Sequence, residues 1–110
     1  MRRGEVRWVD FEHPDHRRPA VVLTRGSAIG YLNALTVAPI TTTIRRLPTE
    51  VLLGPEDGLP TVCVANLDSI STAPKSKIGA LIASLSEGKL AQVEAALLFA
   101  LGMEQYRSRE

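Results

Sequence analysis

Hydrophobic and polar residues alternate in "GEVRWVDF", with Val6, Trp8 and Asp10 on one side and Arg7, Val9 and Phe11 on the other. That period of two predicts a first strand beginning after Gly4. "RPAVVLT" is apolar without interruption, the pattern of a second strand buried on both faces. "RGSAIGYLN", with glycines at 26 and 30, reads as a loop or hairpin turn. "ALTVAPITT" predicts a third strand, in which Pro39 is allowed only at an edge or a bulge. "TEVLL" is a fourth strand and "TVCVANL" a fifth, separated by the breaker "GPEDGLP". "DSISTAPKSK" is polar, and the apolar tract "IGALIASL" leaves strand and helical turn both open, with strand preferred. From Ser86 the period changes. Leu90, Val93, Leu97 and Leu101 recur at helical spacing, Ser86 is placed to cap and Gly102 to stop, which predicts an amphipathic C-terminal helix. The expectation is a mainly β chain, a small strongly bent sheet or barrel carrying one helix.

With 110 residues, 45% of them hydrophobic, the chain suits one domain spanning 1–110. Its net charge of +1 excludes a polycation that coats nucleic acid indiscriminately, but the distribution is uneven. Between Asp15 and Glu50 no acidic residue occurs, whereas Arg17, Arg18, Arg25, Arg45 and Arg46 all do, so folding should create a positive face. The lone Cys63 excludes an internal disulfide and reads as a small buried hydrophobe. "MRRGEVRWVDF" is too charged for a signal peptide and no stretch is apolar enough to span a bilayer, so a cytoplasmic protein is expected.

Candidate chemistry narrows quickly. Asp10, Glu12, His13, Asp15 and His16 crowd one segment, yet their spacing matches no metal motif and no second cluster completes a ligand set; no metal or other cofactor is expected. Phosphate-loop, dinucleotide and nucleophile-elbow motifs are absent. Arginine remains as a handler of phosphate. In "DHRRPAVVLTR", Pro19 fixes its own φ and pushes Arg18 toward extended geometry, so that the cation leaves the strand at a defined angle.

Five blocks, "RRGEVRWVDF", "RRPAVVLTR", "LTVAPITTTIRRLPTEVLL", "VANLDSIST" and "IASLSEGKLAQVEAALLFALG", resemble in order the MazF/PemK toxins of bacterial toxin–antitoxin pairs. The resemblance implies a small SH3-like barrel of the MazF/CcdB type with helices, working as a homodimer. It also implies a sequence-selective endoribonuclease that cleaves single-stranded RNA without a metal. In that chemistry the ribose 2′-hydroxyl attacks, leaving a 2′,3′-cyclic phosphate and a 5′-hydroxyl, and a cognate MazE-like antitoxin holds the toxin inactive. Arg18, directly before the proline, matches the family's catalytic arginine, and Thr41 in "APITTTI" its catalytic threonine.

The residues suit this chemistry on their own terms. A dianionic phosphorane is stabilised better by a planar guanidinium with two donors than by a point charge, and the Thr41 hydroxyl can add a further hydrogen bond. Arginine stays protonated near neutrality and cannot be the general base, which is left unassigned. His13 and His16 have a suitable intrinsic pKa and stand close to Arg18 in sequence. His16, Arg17, Arg25, Thr42, Thr43, Arg45 and Arg46 are the expected RNA contacts, and a positive groove lined by Arg18, Arg25, Arg45 and Arg46 equally fits an acidic, flexible antitoxin segment. Trp8 is expected in the core; Asp68 has no assigned role.

The chain departs from the family in one place. Only "EHPDHR" separates Phe11 from Arg18, where many members carry a longer loop. Two other readings stay open: a gyrase-directed toxin of the CcdB type, which shares the fold but whose members act through an apolar C-terminal tail that the charged "MEQYRSRE" lacks, and a non-catalytic RNA-binding module.

Overall fold

The computed structural model describes residues 1–12 and 17–103. Seven strands form the sheet: β1 (Glu5–Asp10), β2 (Arg17–Val22), β3 (Ala34–Thr41), β4 (Glu50–Leu53), β5 (Cys63–Asn66), β6 (Ser71–Pro74) and β7 (Ile78–Ser84). Two helices accompany them, the single turn α1 (Gly26–Ile29) and the longer α2 (Glu87–Ala100). The strands run in the order β4-β5-β3-β2-β1-β7, with β6 also paired to β3, and every pairing is antiparallel.

β3 is the hub. Along one edge it pairs with β2; along the other, Ala34 to Val37 pair with β6 and only Ile40 and Thr41 pair with β5. Pro39 falls in the gap between those two partners, where a residue without an N–H forfeits no ladder bond. The expected edge or bulge is thus an internal change of partner.

Both faces of β2 are buried, as its apolar run predicts. Val21 enters the main core with Val6, Ile40, Val51, Leu53, Leu67 and Val93, while Ala20 packs on the other face with Val9, Val37 and Ala73. α2 closes the main core through Val93 and Ala96, with Leu90 and Leu97 packed beside them. Its start is capped as expected, Ser86 Oγ accepting a hydrogen bond from Lys89 N at 3.1 Å. Gly102 follows its end at a φ of +73°, a backbone conformation suited to glycine. The helix is less one-sided than its spacing suggests, because Phe99 and Leu101 are 48% and 54% exposed. Lys89 fastens α2 to the edge strand, its Nζ donating to Leu52 O at 2.7 Å and standing 3.7 Å from Asp57 Oδ2.

Three local readings are revised and one preference is borne out. "RGSAIGYLN" carries the turn of helix α1 rather than a simple loop. β6 hides inside "DSISTAPKSK", where only Ala73 is buried and the polar residues gave no strand period. β7 resolves "IGALIASL" as a strand, its register with β1 broken by irregularities around Arg7. Trp8 lies outside the core clusters, half-buried, with the Arg17 guanidinium 4.9 Å above its ring. Cys63 is buried as expected, and burial, assisted by the Asp57 charge, pushes its thiol pKa up.

Candidate active site

The β2–β3 register assembles the site. β2 pairs with β3 from Val22–Val37 to Ala20–Pro39, and just beyond that ladder strand alternation gives Arg18 the face of Ala20 and Thr41 the face of Pro39. Residues directly opposite one another in an antiparallel pair project to the same face. Arg18 is also paired with Val9 of β1, so it emerges at the end of the small core row of Val9 and Ala20. That apolar base supports the side chain, which is itself half-buried.

Arg18, Pro39 and Thr41 line a pocket of about 290 Å³. The β3–β4 loop adds Thr43 and Arg45, β4 adds Glu50 from its first position, β5 adds Asn66 from its last, and the turn after it adds Ser69. Thr41 Oγ1 accepts a hydrogen bond from Thr43 N at 3.1 Å, which leaves the hydroxyl hydrogen for donation to a ligand. Asn66 Oδ1 accepts from Asp68 N at 2.9 Å, so the NH₂ end of that amide is its remaining donor group. Glu50 is the one acidic residue among those lining the pocket, and its Oε1 accepts from the backbone N–H of Arg45 at 3.0 Å and of Leu47 at 3.4 Å. Two guanidinium groups, two threonine hydroxyls, a serine and an amide therefore face one small volume, an array suited to a phosphodiester.

Several expected contacts stand elsewhere. Strand alternation sends Arg17 to the face opposite Arg18, where it lies over Trp8. Arg25 sits beyond the far end of β2, roughly 20 Å along the strand direction from Arg18, and donates from Nη2 to Tyr31 Oη at 3.1 Å. Thr42 is exposed outside the pocket lining. Arg46 lines an adjoining apolar hollow with Ile44, Leu47, Leu52 and Val62, sharing only Glu50 with the pocket. The single groove expected from Arg18, Arg25, Arg45 and Arg46 is thereby reduced to Arg18 and Arg45, with Arg46 next door. His16 lies outside the described residues, as do His13 and Asp15. Among the described residues no three His, Cys, Asp or Glu side chains gather as a metal site.

A larger hollow of about 510 Å³ beside α2 is a weaker candidate. It is lined by Ala91, Ala95, Leu97 and Leu98 together with Arg3 and Glu94, and those two charges already pair at 3.2 Å.

Comparison with known proteins identifies the frame in which this geometry occurs. Residues 2–101 match the model of the PemK-like, MazF-like toxins of type II toxin–antitoxin systems. The chain belongs to this toxin family. It is 48% identical over 71 residues to the probable endoribonuclease MazF5 of Mycobacterium tuberculosis, an alignment spanning 64% of each chain. To the endoribonuclease MazF3 of the same species it is 41% identical over 97 residues, 88% of this chain and 90% of that one. Among solved structures, a mycobacterial endoribonuclease in complex with its cognate antitoxin superposes with a TM-score of 0.83 at 26% identity, covering 94% of this chain and 96% of that one. The mainly β fold with a C-terminal helix is thus that of MazF toxins.

For this MazF-like chain, reading the sequence missed Glu50, Asn66 and Ser69 as pocket residues. Signals for two of them were present in "NLDSI", where Asn, Asp and Ser around one leucine announce a polar turn. Asp68, in the same turn, is not among the lining residues and accepts from the buried Thr49 hydroxyl at 2.6 Å.

Proposed function

We propose that residues 1–110 act as a single toxin domain in the cytoplasm, a metal-independent, sequence-selective endoribonuclease that cleaves single-stranded RNA. The observation that supports this reading best is that Arg18 and Thr41 line one pocket, together with Arg45 and Thr43. The scissile phosphate sits between Arg18 and Thr41. Two guanidinium N–H groups meet the non-bridging oxygens, whose charge grows as the 2′-hydroxyl adds to phosphorus, so the interaction is stronger in the transition state than in the ground state. Thr41, its oxygen already held by Thr43 N, donates its hydrogen to the same phosphate and keeps the 2′-oxygen in line with the departing 5′-oxygen. The 2′-hydroxyl gives up its proton as the 2′-oxygen bonds to phosphorus, and the P–O5′ bond breaks as the 5′-oxygen takes up a proton from solvent, leaving a 2′,3′-cyclic phosphate and a 5′-hydroxyl. Arg45, Thr43 and Asn66 hold the flanking backbone, with Arg46 and Thr42 as outer contacts; Arg17, over Trp8 on the opposite face, and Arg25, bonded to Tyr31, take no part.

The relatives named endoribonucleases, and the solved complex of one with its antitoxin, support the same activity and its neutralisation by an antitoxin. An acidic, flexible antitoxin segment would compete with RNA for Arg18 and Arg45. A homodimer is part of the proposal, and the exposed Phe99, Leu101 and Met103 at and just beyond the end of α2 offer apolar surface of the kind a subunit interface covers. Purified protein should cut single-stranded RNA with undiminished rate in excess chelator. Loss of cleavage in chelator, restored by a divalent ion, would contradict it.

A further inference from the structure

The β3–β4 loop has no regular structure, and Thr42 to Pro48 are all exposed, yet it brings Thr43 and Arg45 into the pocket. A polar loop of this kind would ordinarily fluctuate. Two side chains of the pocket itself tie it down: Thr41, through Thr43 N, and Glu50, whose single oxygen Oε1 accepts from both Arg45 N and Leu47 N. The loop is closed at its base by Glu50 N, which donates to Leu47 O at 3.0 Å. Between the two captured N–H groups stands Arg46 at a φ of +60°, the one described non-glycine residue in the left-handed region. A left-handed residue flanked by converging N–H groups makes a small anion-binding concavity, and the anion filling it belongs to the chain. Left-handed geometry at an arginine is disfavoured and persists only where neighbouring contacts impose it.

We infer that Glu50 is a positioning residue: its carboxylate fills the backbone cradle around Arg46 and thereby holds Arg45 and Thr43 in the orientation that receives RNA. This rests on the endoribonuclease reading and deepens it. A carboxylate placed among phosphate-binding cations carries an electrostatic cost, because it repels the substrate. Its position is explained by what it does to the loop. The acceptor oxygen is required rather than the charge, so glutamine, which keeps a carbonyl oxygen at the same reach, can substitute, whereas alanine cannot.

The test compares Glu50→Gln and Glu50→Ala, alone and with Arg45→Ala, in RNA cleavage and in amide hydrogen exchange at residues 45 and 47. Glu50→Gln is expected to stay within about threefold of the parent kcat/KM. Glu50→Ala should lose about tenfold to a hundredfold, mainly in KM, with exchange protection lost at residues 45 and 47 and the rest of the sheet unchanged. In the Arg45→Ala background, Glu50→Ala should cost much less than it does alone, because the two act as one unit. If the parent protein itself does not cleave RNA, the functional reading fails rather than this inference. If the parent cleaves and Glu50→Gln is as damaging as Glu50→Ala, the charge matters in the reaction and the positioning role is wrong. Unchanged kinetics in Glu50→Ala, or fully additive effects with Arg45→Ala, would overturn it equally.

Discussion

Arg18→Ala is expected to lower the single-turnover cleavage rate by about 10³-fold or more while leaving the protein folded. The rate effect follows from where negative charge develops: the phosphorane oxygens gain charge in the transition state, and removing the guanidinium aimed at them removes stabilisation realised only there. Folding should survive because Arg18 lies near the start of β2, half-buried at the end of a core row and not within it. Arg18→Lys keeps the charge but not the two-pronged donor geometry, and should still lose about a hundredfold. Arg25→Ala is the matched control, an arginine from the same acid-free stretch that the fold carries away from the pocket to Tyr31. It should change the rate by no more than about twofold. Equal, mild effects of Arg18→Ala and Arg25→Ala would show that the wrong arginine has been assigned.

The largest expected loss of stability is at Gly58. This residue ends the turn after β4 at a φ of +91°, a conformation that costs a non-glycine residue about 1–2 kcal/mol. A Cβ added there would lie 2.8 Å from the Ala83 Cβ of β7, too close for two methyl carbons. Relief requires the turn and the strand to move apart, and such overpacking adds about 1–3 kcal/mol. Gly58→Ala should therefore destabilise the chain by about 2–5 kcal/mol, a fall in Tm of roughly 10 °C or more for a domain of this size. Introduced into an Ala83→Gly background, the same substitution should cost only the conformational part. Thermal unfolding of the four proteins in that cycle measures both terms; a Gly58→Ala cost that does not shrink in the Ala83→Gly background would exclude the steric contribution.

Where a strong period or an uninterrupted apolar run was present, reading the sequence and folding the chain agree. β2 is apolar through Ala20, Val21 and Val22 because both of its faces are buried, and α2 announces itself by spacing and by the Ser86 cap. β6 was not legible, because its four residues owe their conformation to pairing with β3 rather than to any pattern of their own. The site divides in the same way. Arg18 and Thr41 carried recognisable neighbours, but only the folded chain reveals that they line the same pocket. The acid-free stretch around Arg25 suggested one positive groove, yet charge density along a chain does not say which face each residue takes. Glu50 was invisible as a site residue because its role lies in backbone N–H groups three and five residues before it, and a turn of that kind has no side-chain signature.

The account turns on the 2′-hydroxyl as nucleophile at a phosphate held by Arg18 and Thr41. The most direct measurement maps the cut site on a single-stranded RNA in excess chelator, replaces the nucleotide immediately 5′ of the cut by its 2′-deoxy analogue, and analyses the new ends. The account predicts a 2′,3′-cyclic phosphate and a 5′-hydroxyl from the RNA, and no cleavage at the deoxy position while binding persists. Undiminished cutting at the deoxy position, or a 5′-phosphate on the product, would contradict it.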